Sequence, residues 1–462
     1  MSMDVEAATG SVLFSAVSDI AGIARSAGGR AWMVGGAVRD IVLGLPAKDV
    51  DVEVFGVPPQ TLEREIGAKY AFDACGVSFG VLKIKHLDID VSLPRRETKR
   101  GTGHKGFSVD SDPSLSISEA AERRDFTINA MYLDPITGEF ADPFGGRDDL
   151  SSGMLRHVSA KFSEDPLRVL RGMQFTARFG LSPAPETVEL CRTMGMEGLP
   201  PERIFEEWRK LLLKGKAISA GLEFLRKTRW LRFFPELERL HGCPQDPSWH
   251  PEGDVWRHTC RCLDAFAAER TGNDVEDLIV GLAVLCHDFG KPDTTFFDES
   301  AGRLRSPGHD EAGVAPTLSF LRRLTAEERI LVEVPPLVKC HMQPFSIWKS
   351  KAKDSAVRRL AARVGRIDRL VRVTRADKAG CGRPQPAAGC EDELRWLEET
   401  ARRLEIADSA PKPILQGRDL IAAGLKPSPR FGEILSRAYD AQLSGVFTDS
   451  AGAAEWLRSA LR

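Results

Sequence analysis

Two hydrophobic periods divide this chain. In the first 150 residues the apolar positions come in short runs: Ala31–Val34, Val50–Phe55, Val81–Ile84 and Ile89–Leu93 each predict a strand. Met131–Leu133 and Glu139–Phe140 flank Pro135-Ile136-Thr137-Gly138 and predict a hairpin. An amphipathic stretch over 11–28, stopped by Gly28-Gly29, predicts a helix ahead of them. This half reads as α+β, a mixed sheet with a few helices. After Asp149 helical periodicity dominates to the C-terminus, broken by proline and glycine near Pro183-Pro185, Pro200-Pro201, Gly242–Pro251, Pro292, Pro307-Gly308 and Pro411–Pro413. The Gly- and Pro-rich stretch Ala379–Ala388 is the best linker candidate, and no internal repeat is apparent.

A length of 462 residues implies two to four domains. An apolar fraction of 42% and a charged fraction of 28% are those of a soluble globular protein, and no apolar stretch is long enough to span a bilayer. The N-terminus shows no signal-peptide pattern, and nine cysteines without a CxxC pair suggest reduced, mostly buried thiols in a cytosolic protein. A formal net charge of −2 announces no global basic field, so contact with nucleic acid would use local patches.

The densest chemistry lies in Met33-Val34-Gly35-Gly36-Ala37-Val38-Arg39-Asp40 and Lys48-Asp49-Val50-Asp51. Asp49 and Asp51 share a strand face, which suits a hard cation such as Mg²⁺. The Gly35-Gly36 turn brings backbone N–H groups close to a phosphate. Asp90 is a candidate third carboxylate; Asp88 shares its face and competes. Lys99–Phe107, with three glycines and several basic residues, reads as a positively charged loop. In Arg123-Arg124-Asp125-Phe126-Thr127-Ile128-Asn129, arginines beside Asp125 and Asn129 suit triphosphate and sugar contacts. Glu164-Asp165-Pro166-Leu167-Arg168 opens a helix; Asp165, Arg168 and Arg171 are spaced by three, which predicts a shared face. A carboxylate that accepts and an arginine that donates are what reading a base edge requires. The competing reading of that spacing is a surface ion pair.

A second constellation follows: His258, His287-Asp288, His309, His341 and Asp377. An adjacent His-Asp pair offers one intermediate and one hard ligand, suited to a transition metal, with a distant His and Asp to complete the shell. Taken singly, each of these histidines reads as an ordinary core or surface residue. His250 and Asp254 lie close to the first His and read as structural.

Gly35-Gly36, Arg39-Asp40, Asp49-x-Asp51, Arg124-Asp125, Asn129, Asp142-Pro143, Glu164-Asp165-x-x-Arg168 and Glu202-Arg203 occur in the order of the class II tRNA nucleotidyltransferase and bacterial poly(A) polymerase family, which residues 30–215 resemble. The resemblance implies a five-stranded catalytic head and a helical neck that selects CTP or ATP. It assigns Asp49 and Asp51 as metal ligands, Asp90 as the third acidic residue, and Gly35, Gly36, Arg124, Asp125 and Asn129 to the nucleotide. It makes Asp165 and Arg168 the base-reading pair, with Arg39, Arg171 and Glu202-Arg203 in support. Residues 245–380, with Leu285-Cys286-His287-Asp288-Phe289-Gly290-Lys291-Pro292, resemble the HD phosphohydrolase superfamily. The weaker motifs Leu415–Ile421 and Gly424-Leu425-Lys426-Pro427 look like the tail of proteins that join the two.

The implied division is a head over 1–150, a neck and body over 151–244, an HD domain over 245–380 and a helical tail over 381–462. Three functions stand open: addition of C, C and A to the 3′ end of tRNA from CTP and ATP with Mg²⁺; a narrower poly(A)-, CC- or A-adding transferase; and an HD metal phosphohydrolase, with a divalent transition metal, whose head only binds tRNA or nucleotide. Arg322, Arg323, Arg358, Arg359 and Arg363 are candidates for contact with a tRNA acceptor stem, or equally solvated helix faces.

Overall fold

The computed structural model describes residues 5–74, 81–99, 107–382 and 392–462. These fall into two compact units, one of residues 1–207 with 220–230, the other of 208–219 with 231–462.

In the first unit the strands are β1 (Arg30–Val34), β2 (Val50–Phe55), β3 (Phe72–Ala74), β4 (Val81–Ile84), β5 (Ile89–Ser92), β6 (Arg95–Lys99), β7 (Phe107–Ser111), β8 (Tyr132–Leu133) and β9 (Phe140–Ala141). Seven form one mixed sheet in the order β3-β4-β5-β2-β1-β8-β9, and β6-β7 pair separately. The sheet has seven strands where five were expected; the short β3 forms one edge, and the β8-β9 hairpin docks its first strand on β1 to form the other. β2 lies between antiparallel β1 and parallel β5. Its valines Val50, Val52 and Val54 are buried and its polar residues face the other way, the period-2 division that fixes register. The amphipathic helix Ser11–Ser26 covers the sheet with Ile20, Ala21 and Ala24. Of the predicted basic loop, residues 100–106 lie outside the described residues.

Helices prevail after Asp149, but not alone. β10 (Met154–Leu155) pairs with β11 (Ser182–Pro183), and β12 (Phe296–Asp298) forms a hairpin with β13 (Arg303–Arg305). These two- and three-residue strands are too short to show a period of two. Asp165 precedes the helix Leu167–Phe179 in extended backbone, so it does not share that helix's face with Arg168 and Arg171 as their spacing suggested.

The second unit is built on four mutually packed helices, Val255–Ala268, Asp274–Cys286, Glu328–Cys340 and Ile367–Gly380. Asp254 caps the first by accepting from Arg257 N at 3.0 Å, and Asn273 caps the second from Val275 N at 3.2 Å. Asp254 is therefore structural, as its position suggested. Ala379 and Gly380 end the fourth helix, and 383–388 of the predicted linker lie outside the described residues. Leu415, Leu420, Ile434, Ala438, Phe447 and Leu457 form a separate small core near the C-terminus. No helix among the described residues is long and apolar enough to cross a membrane.

Candidate functional sites

In the sheet unit the parallel pairing of β2 with β5 sets Asp51 opposite Asp90. In that register Asp90 stands beside Asp51, whereas Asp88 lies before β5 and its carbonyl accepts from Val50 N at 2.9 Å. Asp49 and Asp51 are exposed, and Lys83 Nζ approaches Asp90 Oδ2 at 3.2 Å. Glu53, two residues beyond Asp51, adds a fourth carboxylate to the same face; the alternation that pointed to Asp51 also reached it. Desolvation, the largest cause, pushes Asp51 above the usual carboxylate range; Arg124 opposes this, and Asp90, Asp49 and Glu53 reinforce it. Such crowding fits a divalent cation, which would relieve the mutual repulsion of these carboxylates.

Gly35 stands beside them at φ 69° and ψ −133°, a conformation that favours glycine. A Cβ there would lie 3.3 Å from Arg124 Nη1 and 3.4 Å from Asp51 Oδ2, so the missing side chain keeps the turn open between a cation and an acid. Gly36 opens the helix Gly36–Val42. Arg124 is steered by Tyr132 Oη and Glu53 Oε2, each at 3.4 Å.

The remaining predicted nucleotide residues hold one another. Arg39 is buried; its Nη1 donates to Asn129 Oδ1 at 2.7 Å, and its plane lies 4.4 Å from the centre of Phe179. Asn129 Nδ2 donates to Asp125 Oδ1 at 3.0 Å, and Arg171 Nε donates to Asp125 Oδ2 at 2.7 Å. Burial works against Asp125 ionising, but Arg171, Asn129 and Phe126 N together pull it down to about 2. The chain Arg39–Asn129–Asp125–Arg171 thus ties the glycine-turn helix to the helix Leu167–Phe179. Arg168 donates to the carbonyls of Lys161 at 2.7 Å and Arg123 at 2.6 Å. Asp165 accepts from Leu167 N and from Arg203 Nη2, both at 3.1 Å. Arg203, from the Glu202-Arg203 pair, thus does contact the proposed base reader.

In the helical unit all six predicted metal residues converge. His258 comes from one helix and Asp377 from another; His287 and His341 cap two helix C-termini; His309 opens a short helix. Their Nε2 atoms point inward because each Nδ1 is engaged elsewhere: His287 with Val284 O at 2.7 Å, His309 with Ser306 O at 2.8 Å, His341 with Val338 O at 2.6 Å, and His258 with Glu252 Oε1 at 2.8 Å. His287 Nε2 is 3.4 Å from His258 Nε2 and 3.2 Å from Asp288 Oδ2, and His309 Nε2 is 3.2 Å from His341 Nε2. Asp377 Oδ1 is 2.9 Å from His258 Nε2.

Asp288 is buried, and its Oδ2 lies 2.7 Å from Lys291 Nζ and 3.2 Å from His287 Nε2. A buried carboxylate beside four inward Nε2 atoms fits a divalent metal. Burial, followed by the neighbouring His287 and His309, pushes His341 down to about 4, which keeps it neutral as a ligand must be. Sequence reasoning missed Glu252, Cys262 and Lys291. Cys262 stands four residues after His258, which was a readable helical spacing; Glu252 carried no signal before the fold was known. Of the arginines considered for tRNA, Arg323 pairs with Glu236 and Arg359 donates to Ser444 Oγ at 2.7 Å.

The Poly A polymerase head domain family matches residues 31–156, and the probable RNA- and SrmB-binding site of polymerase A matches residues 180–240. A multifunctional CCA protein of Xanthomonas oryzae is 36% identical over 434 residues, spanning 91% of this chain and 99% of that protein. The chain belongs to the multifunctional CCA protein family. Another member, from Stenotrophomonas maltophilia strain K279a, is 37% identical over 423 residues, covering 88% of this chain and 97% of its own. Among solved structures, the Bacillus stearothermophilus CCA-adding enzyme in complex with CTP shares the fold with a TM-score of 0.65 at 23% identity, over 96% of this chain and 98% of that one. The Thermotoga maritima CCA-adding enzyme complexed with tRNA shares it at 0.59 and 18%, over 99% and 98%. The α+β head followed by helices, expected from the hydrophobic pattern, is thus the fold of this family.

Proposed function

We propose that this protein is a template-independent nucleotidyltransferase that completes the 3′ end of tRNA with C, C and A, using CTP and ATP. The observation that carries the reading is the register of β2 and β5, which sets Asp51 beside Asp90 next to the Gly35 turn and Arg124. Asp49 and Asp51 would hold Mg²⁺, which when bound supplies positive charge to the attacking 3′ oxygen and the leaving pyrophosphate. The Gly35-Gly36 backbone and Arg124 would receive the triphosphate. The Arg39–Asn129–Asp125–Arg171 chain would fix the turn relative to the neck helix. Asp165 and Arg168 would select the base, each held by the contacts just described. The division of labour goes with a head over 1–150, a neck and body over 151–244, an HD domain over 245–380 and a tail over 381–462, and tRNA maturation sets the protein in the cytoplasm.

The test supplies tRNA transcripts ending before CCA, after C and after CC with CTP and ATP, singly and together. Stepwise growth that stops at CCA is expected. An open A tract, or addition of CC or A alone, would replace this reading by the narrower transferase.

A second activity is favoured by one observation: the buried, inward-facing ligand set around Asp288. His258, His287, Asp288 and Asp377, with His309 and His341, would hold a divalent transition metal that supplies Lewis acidity to a phosphoester. Lys291 is placed to balance the charge of Asp288. The reading is an HD phosphohydrolase carried by the same chain.

A further inference from the structure

We propose that Cys262 is a thiolate ligand of the metal held by the HD residues, and that the site therefore takes a borderline-soft divalent metal such as Zn²⁺ in preference to Mg²⁺. The proposal rests on the reading of the HD residues as a metal site.

Cys262 lies one turn after His258 on the helix Val255–Ala268, so the two side chains share a face. Its Sγ is 3.4 Å from His258 Nε2. The ligand atoms of His258, Cys262, His287 and Asp377 all lie within 4.8 Å of one another. Two N or S ligands bonded at about 2.0–2.3 Å to one tetrahedral ion stand roughly 3.3–3.8 Å apart. The separations from His258 Nε2 to Cys262 Sγ and to His287 Nε2, both 3.4 Å, lie in that interval, as does the 3.7 Å between His287 Nε2 and Asp377 Oδ1; Asp377 Oδ1 stands closer to His258 Nε2, at 2.9 Å.

The thiol is also seated by the backbone. A Cβ at Gly380 would fall 2.2 Å from Cys262 Sγ, so only a glycine there lets the helix Ile367–Gly380, which carries Asp377, close on the sulfur. Asp288 Oδ2, buried at 3.2 Å from His287 Nε2, adds a further carboxylate beside these donors. Sulfur is the softest donor in the set, and a thiolate biases a site towards Zn²⁺ and away from Mg²⁺. Binding converts the Cys262 S–H to a metal–sulfur bond and releases its proton to solvent.

Two nearby features differ in kind. Cys381 Sγ lies 4.0 Å from His250 Nδ1, and both His250 and His258 direct Nδ1 to the same Glu252 oxygen at 2.9 and 2.8 Å. Glu252 meets the Nδ1 side of His258, the ring nitrogen opposite the one that faces Cys262 and Asp377, so it is a positioning residue behind His258.

The test is X-ray absorption on the full-length protein carrying one equivalent of Zn²⁺, in wild type, Cys262→Ser, Cys381→Ser and His287→Ala. One sulfur neighbour at ~2.3 Å is expected in wild type and Cys381→Ser, with its loss in Cys262→Ser and at least a tenfold weaker hold on Zn²⁺ in a chelator competition. If Cys262→Ser fails to fold, wild type and Cys381→Ser still decide. Bound zinc with only N and O neighbours overturns the thiolate and leaves the metal site standing. Failure to retain zinc overturns both. A sulfur signal lost in Cys381→Ser, or surviving in His287→Ala, puts the zinc on other ligands and also overturns the proposal.

Discussion

The two candidate sites solve opposite problems with similar residues. In the sheet unit, carboxylates stand on the open face of β2 with little beneath them but the strand, and Asp51 is raised in pKa by its surroundings. In the helical unit, His258, His287, Asp288 and His341 are buried and each histidine Nδ1 is pinned to a carbonyl or carboxylate. An open carboxylate face suits a metal that arrives and leaves with a nucleotide. A buried, pre-aimed imidazole set suits a metal that stays. What separates the two is how much of the ligand geometry the fold fixes in advance.

The largest effect that sharpens this contrast is in the open site. Asp49→Ala is expected to lower nucleotide incorporation by at least ~10³-fold, in the range for loss of a group that stabilises transition-state charge. Its unfolding midpoint should not fall, because an exposed carboxylate among like charges contributes no packing. A fall in the midpoint would mean that the open face is structural after all.

Next is the buried chain behind that site. Arg171→Ala leaves Asp125 buried without its main partner and is expected to cost about 3–5 kcal/mol, read by denaturant unfolding. Asp125 sits at about 2 when folded, below its ordinary 3.8, so its contribution is present above about pH 4 and is lost as pH falls towards 2. That shift corresponds to about 2 kcal/mol for this buried group, and the acid-side loss should shrink in Arg171→Ala, where only Asn129 and Phe126 N remain to hold Asp125 ionised. An unchanged acid profile would contradict the assignment.

A smaller change is expected from Glu252→Gln, which keeps the shape but loosens the orientation of His258. Metal retention should fall ~10–100-fold by chelator competition, with transfer to tRNA unaltered. Last comes Gly35→Ala, where forcing a side chain into the φ 69° conformation costs about 1–3 kcal/mol. The Cβ would press on Arg124 and Asp51, so incorporation should fall more than stability does.

Much of the head was legible because strands print their period on the sequence. β2 and β4 match the predicted runs, and Asp51 falls on the predicted face, whereas Asp49 lies in a bend just before the strand. Asp90 was legible only as one of two candidates, since which of them stands beside Asp51 is set by pairing register, a property of two strands and not of one. β3 and β12-β13 were missed because three residues carry no period. Arg39, Asp125, Asn129 and Arg171 were visible as polar residues worth explaining; that they bond to one another is a tertiary fact. The residues of the histidine cluster were visible as types and order; Cys262 was readable from its i+4 spacing to His258, while Glu252 became meaningful only once the fold set it against His258.

The central claim is that one chain carries two chemically independent metal sites. The most direct test measures transfer of CTP and ATP to tRNA and metal-dependent hydrolysis of phosphoesters on wild type, Asp51→Ala and Asp288→Ala side by side. The account predicts that Asp51→Ala loses transfer and keeps hydrolysis, and that Asp288→Ala does the reverse. Loss of transfer in a folded Asp288→Ala, or hydrolysis that survives it, would contradict the claim.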